Sequence, residues 1–234
     1  MDHIILANPP MGLKTYKSQS TIIIENFPKI EYLTPLEQIK KRRGNQILYH
    51  GHIGPERGLE ELVCAMKQVV SIVPSASLNI VGTFRTKNFE DNIRNLIEEL
   101  ELQSSVMITE QVPHSQIWGI INKHRVGVIP FRRTPLTEEN TPTKLFEMMI
   151  CGLELVVSKL PPAQFFLNNS VHWCEPDNIN SISQSLISAL NKYPSLDSLF
   201  SLRKRFTLLN APAGSLESVS YTHLRAHETS LHLV

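Results

Sequence analysis

No stretch of these 234 residues approaches the ~20 consecutive apolar positions that a membrane-spanning helix needs. The amino terminus, MDHIILANPP, has neither a basic start nor a long apolar core, so it does not read as a secretory signal. An excess of one charge is missing too. The 23 Lys and Arg residues stand against 22 Asp and Glu, which argues against a generic nucleic-acid binder with its basic surplus. Cysteine is scarce: Cys64, Cys151 and Cys174 are odd in number and far apart. They read as buried thiols of a reducing, cytoplasmic compartment, not as a disulfide frame or zinc site. Several chemistries lack their motifs. There is no DxD to bridge a metal to a diphosphate, no Walker A loop, and no GxGxxG, GxSxG, HExxH or CxxC. His223, His227 and His232 have near-helical spacing but lie in a tail whose pattern is otherwise lost, so no metal site is expected.

What is present is alternation. The runs 46–51, 77–82, 106–112, 126–131, 155–159 and 171–175 read as strands, separated by amphipathic helical runs. Leu59, Leu62, Val63, Met66, Val69, Val70 and Val73 mark one helical face. Phe89, Ile93, Leu96, Ile97 and Leu100 mark the next, with Asn88 as its expected cap. Ser115 is expected to cap a third helix reaching about His124. A fourth should run from Pro142, capped by Thr141, to Gly152 as its C′ residue. A last helix is expected over 179–193. Strand and helix repeated six times predict a doubly wound, Rossmann-like parallel sheet with right-handed crossovers. Ligands in such sheets bind beyond the carboxyl ends of the strands, near the switch in strand order. That rule selects the loops 50–58, 82 onward, 112–114 and 132–141.

The segment 139–147, ENTPTKLFE, falls on that side of the sheet. A helix start there offers N–H groups and a positive dipole end to phosphate. Glu139 and Glu147 flank Lys144, and a carboxylate accepts hydrogen bonds from sugar hydroxyls. Phosphate donors beside hydroxyl acceptors suit a nucleotide-sugar. Read without context, Lys144 and Glu147 would be an ordinary surface ion pair. In HGHIGPERG (50–58), Gly51 and Gly54 permit close backbone approach, and Arg57 can make bidentate contacts to phosphate.

Taken in order, the RG turn after the first strand, IVG ending the second, and PTKLFE-x-M-x-x-G resemble one family. They are similar to the C-terminal, donor-binding domain of a GT-B glycosyltransferase of the family-four, group 1 retaining type. The resemblance covers roughly residues 45–195. It implies that Glu147 binds the ribose hydroxyls and that Glu139 addresses the transferred sugar, with Glu138 as the alternative if the loop slips by one. Arg57 would hold the diphosphate, Lys144 and Leu145 would bring the helix start to it, Gly51 would let it come close, and His52 and Gly82 would complete the donor-binding set. Two positions depart from the family. His52 stands where many members have arginine, and Glu154 where proline is usual.

The resemblance also implies organisation. Residues 1–44 read as a remnant of an acceptor-binding domain plus linker, with TIIIENFP as their one strand-like run. Residues 45–210 form the donor domain. Residues 211–234 read as a non-native tail, since SVSYTHLRAHET is similar to a translated sequencing adapter. The whole enzyme is expected to transfer a sugar from a nucleotide-sugar to an acceptor glycan or lipid-linked glycan with retention, in surface polysaccharide or glycoconjugate synthesis. No metal or other cofactor is implied. Any peripheral membrane association would come through the acceptor domain. The chain as it stands is expected to be a fragment that binds donor without turnover. The other readings are a nucleotide-binding module without catalysis, a nucleotide-sugar epimerase of the same fold, and a folded remnant without function.

Overall fold

The computed structural model describes residues 44–167 and 171–192 in full, the backbone of 3–6 and 20–23, and positions 28, 32, 34, 35, 38 and 39. The tail 211–234 and the expected domain end near 210 lie outside the described residues. Strands β1 (His3–Leu6) and β2 (Ser20–Ile23) pair in parallel as a sheet of two. The pattern reading found only the second of them.

Six further strands form one parallel sheet. They are β3 (Gln46–His50), β4 (Ser77–Val81), β5 (Val106–Thr109), β6 (Val126–Ile129), β7 (Glu154–Ser158) and β8 (His172–Cys174). Their spatial order is β5-β4-β3-β6-β7-β8. Counted from β3 this is 3-2-1-4-5-6, the doubly wound order expected from the alternation. The switch in direction falls between β3 and β6.

Among the described residues seven α-helices join or follow the strands: α1 (Leu59–Ile72), α2 (Lys87–Glu99), α3 (His114–Ile121), α4 (Pro135–Glu139), α5 (Thr143–Ile150), α6 (Pro161–Phe166) and α7 (Ile179–Asn191). In α1 the buried Leu59, Leu62, Val63, Met66 and Val69 follow the helical repeat. Helix α1 also meets α7 through polar groups: Ser183 donates to Gln68 Oε1 at 2.6 Å, and Gln68 donates to Asn180 Oδ1 at 2.9 Å. Strands β6 and β7 are buried along their whole length, since helices cover both faces.

Three expected caps are corrected. Helix α2 starts earlier than expected, capped by Thr86, whose hydroxyl accepts from the Phe89 N–H; Asn88 lies inside it. Helix α3 has Pro113 at its N-cap position and no side-chain cap, so Ser115 sits within the first turn. Pro142 is extended, with ψ 116°, which shifts the start of α5 to Thr143 and removes Thr141 from the capping position. Gly152 does adopt the left-handed conformation (φ 68°) just past α5.

Glu154 now has a physical account. It opens β7 almost wholly buried, and its carboxylate lies 3.3 Å from Nε2 of His172 on β8. Its N–H donates to the Arg125 carbonyl, a bond that proline would forfeit. Glu154→Ala should leave the mostly buried imidazole without its partner and destabilise the chain by about 1–3 kcal/mol. Urea denaturation checks this; an unchanged midpoint would show that the pair contributes nothing.

Candidate functional site

The site is built where the two halves of the sheet meet. After His50 the chain turns at Gly51, whose φ of 103° disfavours any side chain. The Gly51 N–H donates to the Val81 carbonyl at 2.9 Å, and the Gly82 N–H donates to Thr109 at 3.1 Å. A Cβ on Gly82 would lie 1.9 Å from the Gly51 carbonyl oxygen. The two glycines therefore let the ends of β3 and β4 touch. Beyond them, Ile53 donates to Thr83 and Arg85 donates back to Ile53, which zips the two loops together.

The next turn, Pro55–Arg57, is clamped on its other side. Arg132 donates its N–H to the Glu56 carbonyl at 3.1 Å, and Gly58 (φ 70°) passes so close that a Cβ would lie 1.8 Å from the Pro130 carbonyl. Burial works against ionisation of Glu56, but the bidentate Arg85 guanidinium and the nearby Arg57 hold its carboxyl below the usual range. These contacts fix the loop that carries Arg57.

Two cations converge under this loop. The Arg57 guanidinium lies 4.6 Å from the centroid of the Phe131 ring. The Lys144 ammonium lies 4.0 Å from the Tyr49 centroid and 5.4 Å from that of Phe131. Lys144 is 9% exposed, and its Nζ has no hydrogen-bond partner among the described residues. A Cβ on Gly51 would meet that Nζ at 3.1 Å. Burial, then the like charge of Arg57, pushes the Lys144 pKa down to about 7, with Glu147 opposing. A half-buried guanidinium and an unpartnered ammonium beneath a glycine turn make a seat for a polyanion.

Beside them sits Glu147. Its Oε1 is 2.8 Å from Nε2 of His114, and its Oε2 is 3.5 Å from Nε2 of His50. His50 is buried, and burial together with the charges of Lys144, His114 and His124 lowers its pKa to about 3. His114 is exposed and meets the Trp118 ring edge-on, with centroids 5.5 Å apart; Tyr32 stacks on that same Trp118 ring at 4.2 Å.

The remaining expected residues are placed as follows. His52 is exposed, and its carbonyl accepts from the Tyr49 hydroxyl at 2.7 Å. Glu139, half-buried, ends the short helix α4 rather than a loop. Its alternative Glu138 is engaged by Arg133 at 2.6 Å. Leu145 is a core side chain, fully buried, and its N–H is taken by the Pro142 carbonyl at 2.9 Å. The structure thus draws together Gly51, Gly82, Arg57, Lys144 and Glu147. It adds four residues that the sequence reading did not single out: Tyr49, His50, His114 and Phe131. Three of these, His50, His114 and Phe131, stand at or just past carboxyl ends of strands, which the binding-loop rule covers. Among the described residues no three His, Cys, Asp or Glu side chains cluster as a metal site would require. No helix among them is long and apolar enough to cross a membrane.

Residues 36–206 match the model of one protein family, described as glycosyl transferases group 1. No curated protein matches the chain significantly. Among solved structures, sucrose-phosphate synthase from Thermosynechococcus elongatus is similar at a TM-score of 0.71 and 18% identity, over 98% of this chain and 59% of that one. S. aureus TarM, solved with fondaparinux, α-GlcNAc-glycerol and UDP, gives 0.68 and 18% over 90% of this chain and 40% of that one. The C-terminal domain of a group 1 glycosyltransferase, LpcC from Francisella tularensis, gives 0.60 and 14% over 78% of this chain and 95% of that domain. The chain therefore spans about half the length of the two longer relatives.

Proposed function

The chain belongs to the group 1 glycosyltransferases, and from that premise we propose that its six-stranded domain binds the nucleotide-sugar donor. The observation that carries this reading is the unpartnered, buried ammonium of Lys144 beside Arg57 under the Gly51 turn. Arg57 and Lys144 hold the diphosphate. Gly51 and Gly82 let the two strand ends come close enough to shape the phosphate seat. Glu147 accepts from the ribose hydroxyls, and Glu139 orients the sugar. His52 lies at the mouth of the same turn, where it can meet the donor from solvent.

In transfer, the anomeric C–O bond to the diphosphate breaks while an acceptor hydroxyl attacks the same face of the sugar. Negative charge grows on the leaving diphosphate. Arg57 and Lys144 stabilise it in this reading, in place of a metal ion. Glu139 contributes by positioning. Transfer itself is proposed for a protein that also has an acceptor-binding domain, acting on a glycan or lipid-linked glycan in polysaccharide or glycoconjugate synthesis. This chain alone is proposed to bind donor without turning it over.

Calorimetric titration with UDP, GDP and ADP tests the reading. UDP comes first because it accompanies TarM in its crystal structure. One nucleotide class should saturate the chain, and Glu147→Ala should weaken it about 10- to 100-fold, the effect of losing a hydrogen bond to a charged group. No saturable binding of any of the three would overturn the donor-site assignment. Release of a free epimer of the sugar without acceptor would favour an epimerase instead.

A further inference from the structure

Resting on that reading and deepening it, we propose that His50 is a positioning residue that makes the site selective for ribose by fixing the carboxylate of Glu147. The imidazole closes β3 with only 5% of its side chain exposed. Its Nε2 is buried, makes no conventional hydrogen bond, and faces Oε2 of Glu147 at 3.5 Å. A shift of roughly half an ångström brings that contact into hydrogen-bond range. The groups around the ring explain its state. Lys144, His114 and His124 all oppose a further positive charge, and burial does so most of all. His50 is therefore neutral at working pH, and the carboxylate it faces calls for the tautomer that carries hydrogen on Nε2. A neutral donor aims Glu147 without cancelling its charge.

The two oxygens of Glu147 are then unlike. The inner one faces a buried histidine that has no room to leave. The outer one is held at 2.8 Å by His114, whose side chain is 68% exposed and free to exchange with a ligand. A ribose hydroxyl is a donor, like the His114 N–H, and can take its place on Oε1. It finds that oxygen in one place only if Oε2 is anchored, because the terminal torsion of a glutamate is otherwise broad. His50 thus acts through Glu147 and does not touch the nucleotide.

The test titrates the full chain with UDP and with 2′,3′-dideoxy-UDP, with GDP and ADP and their dideoxy forms run alongside. The wild-type chain should prefer the ribose form at least about tenfold. His50→Leu should cut that preference to about twofold while leaving dideoxy affinity within about threefold. His50→Gln, which keeps an amide donor, should restore most of the preference. A His50→Leu chain with undiminished preference would overturn the proposal, as would an equal loss for both ligands in both variants, which marks a purely structural role. Wild-type binding of the two forms with equal affinity would overturn the ribose role while the diphosphate site stands. Binding of neither would overturn the donor site itself and this inference with it. A measurement free of variants guards against misfolding: ring nitrogen NMR of the wild-type chain should show His50 neutral and protonated on Nε2 at pH 7. The Nδ1–H tautomer would overturn the proposal.

Discussion

Lys144→Met should yield a chain that melts at a higher temperature and binds nucleoside diphosphate about 100-fold more weakly. Both effects come from one placement. The ammonium is buried against two aromatic rings, with Arg57 near it and no hydrogen-bond partner. Methionine has a similar unbranched length and no charge to desolvate. Replacing a buried ion with an apolar side chain of like volume stabilises by about 1–4 kcal/mol, or some 2–4 °C per kcal/mol at this chain length.

The pH dependence fixes the sign. Lys144 has a pKa of about 7 in the folded chain against 10.5 without the fold. Between these values the unfolded state holds more protons, so wild-type stability rises with pH across that window. Below pH 7 both states are protonated and the full cost of the buried charge is present. The gap in melting temperature between variant and wild type should therefore be widest at pH 6 and narrow from pH 7 upward. Binding runs the other way. Diphosphate needs the charged lysine, so wild-type affinity should fall above pH 7, and calorimetry at pH 8 in buffers of different ionisation enthalpy should register proton uptake. A variant no more stable than wild type at pH 6, or one that keeps wild-type affinity, would refute this account.

Gly82→Val should be among the most damaging single changes in the site, costing more than about 3 kcal/mol. The obstacle is the Gly51 carbonyl, a backbone atom 1.9 Å from where Cβ would stand. Backbone cannot rotate aside as a long side chain can. Relief requires the ends of β3 and β4 to separate, which breaks the Gly51–Val81 and Ile53–Thr83 hydrogen bonds and displaces the loop bearing Arg57. Gly119 supplies the contrast within the same chain. It lies inside α3, and a Cβ there meets nothing within 4 Å. Gly119→Ala should stabilise by about 1 kcal/mol, the ordinary helix preference. Urea midpoints of both variants decide; equal effects would show that the close approach at Gly82 is not a constraint.

Much of the architecture is legible in the sequence. Strands β3 to β7 each carry two or more of Val, Ile and Leu, and α1 and α2 are long enough for their repeat to show. Helices α4 and α6, of five and six residues, are illegible in the sequence because fewer than two turns display no period. Caps were harder. Asn88 and Thr86 are both good capping types, and which one serves depends on where the chain leaves the Ile53–Phe84 bridge, a tertiary fact. The candidate site was half legible for a similar reason. Glu147, Lys144 and Arg57 announce themselves by motif. His50 and His114 do not, because their meeting with Glu147 joins three elements that are remote in sequence. Glu154 looked anomalous for want of His172, its partner on the neighbouring strand.

The seam between β3 and β6 sets a timetable for the newborn chain. Those strands register at two positions only, Ile47 with Val126 and Leu48 with Gly127. Strands β3, β4 and β5 can align with one another while β6 is still unmade. At roughly 5–20 residues per second, the ribosome delivers β6 several seconds after β3. Arg57 belongs to the early half, and Phe131 and Lys144 to the late one. The phosphate seat therefore comes into being only when that seam closes. A nucleoside diphosphate in the surrounding solution would favour the closed seam by mass action. It would act as a chaperone for the one join that the sheet itself secures most thinly.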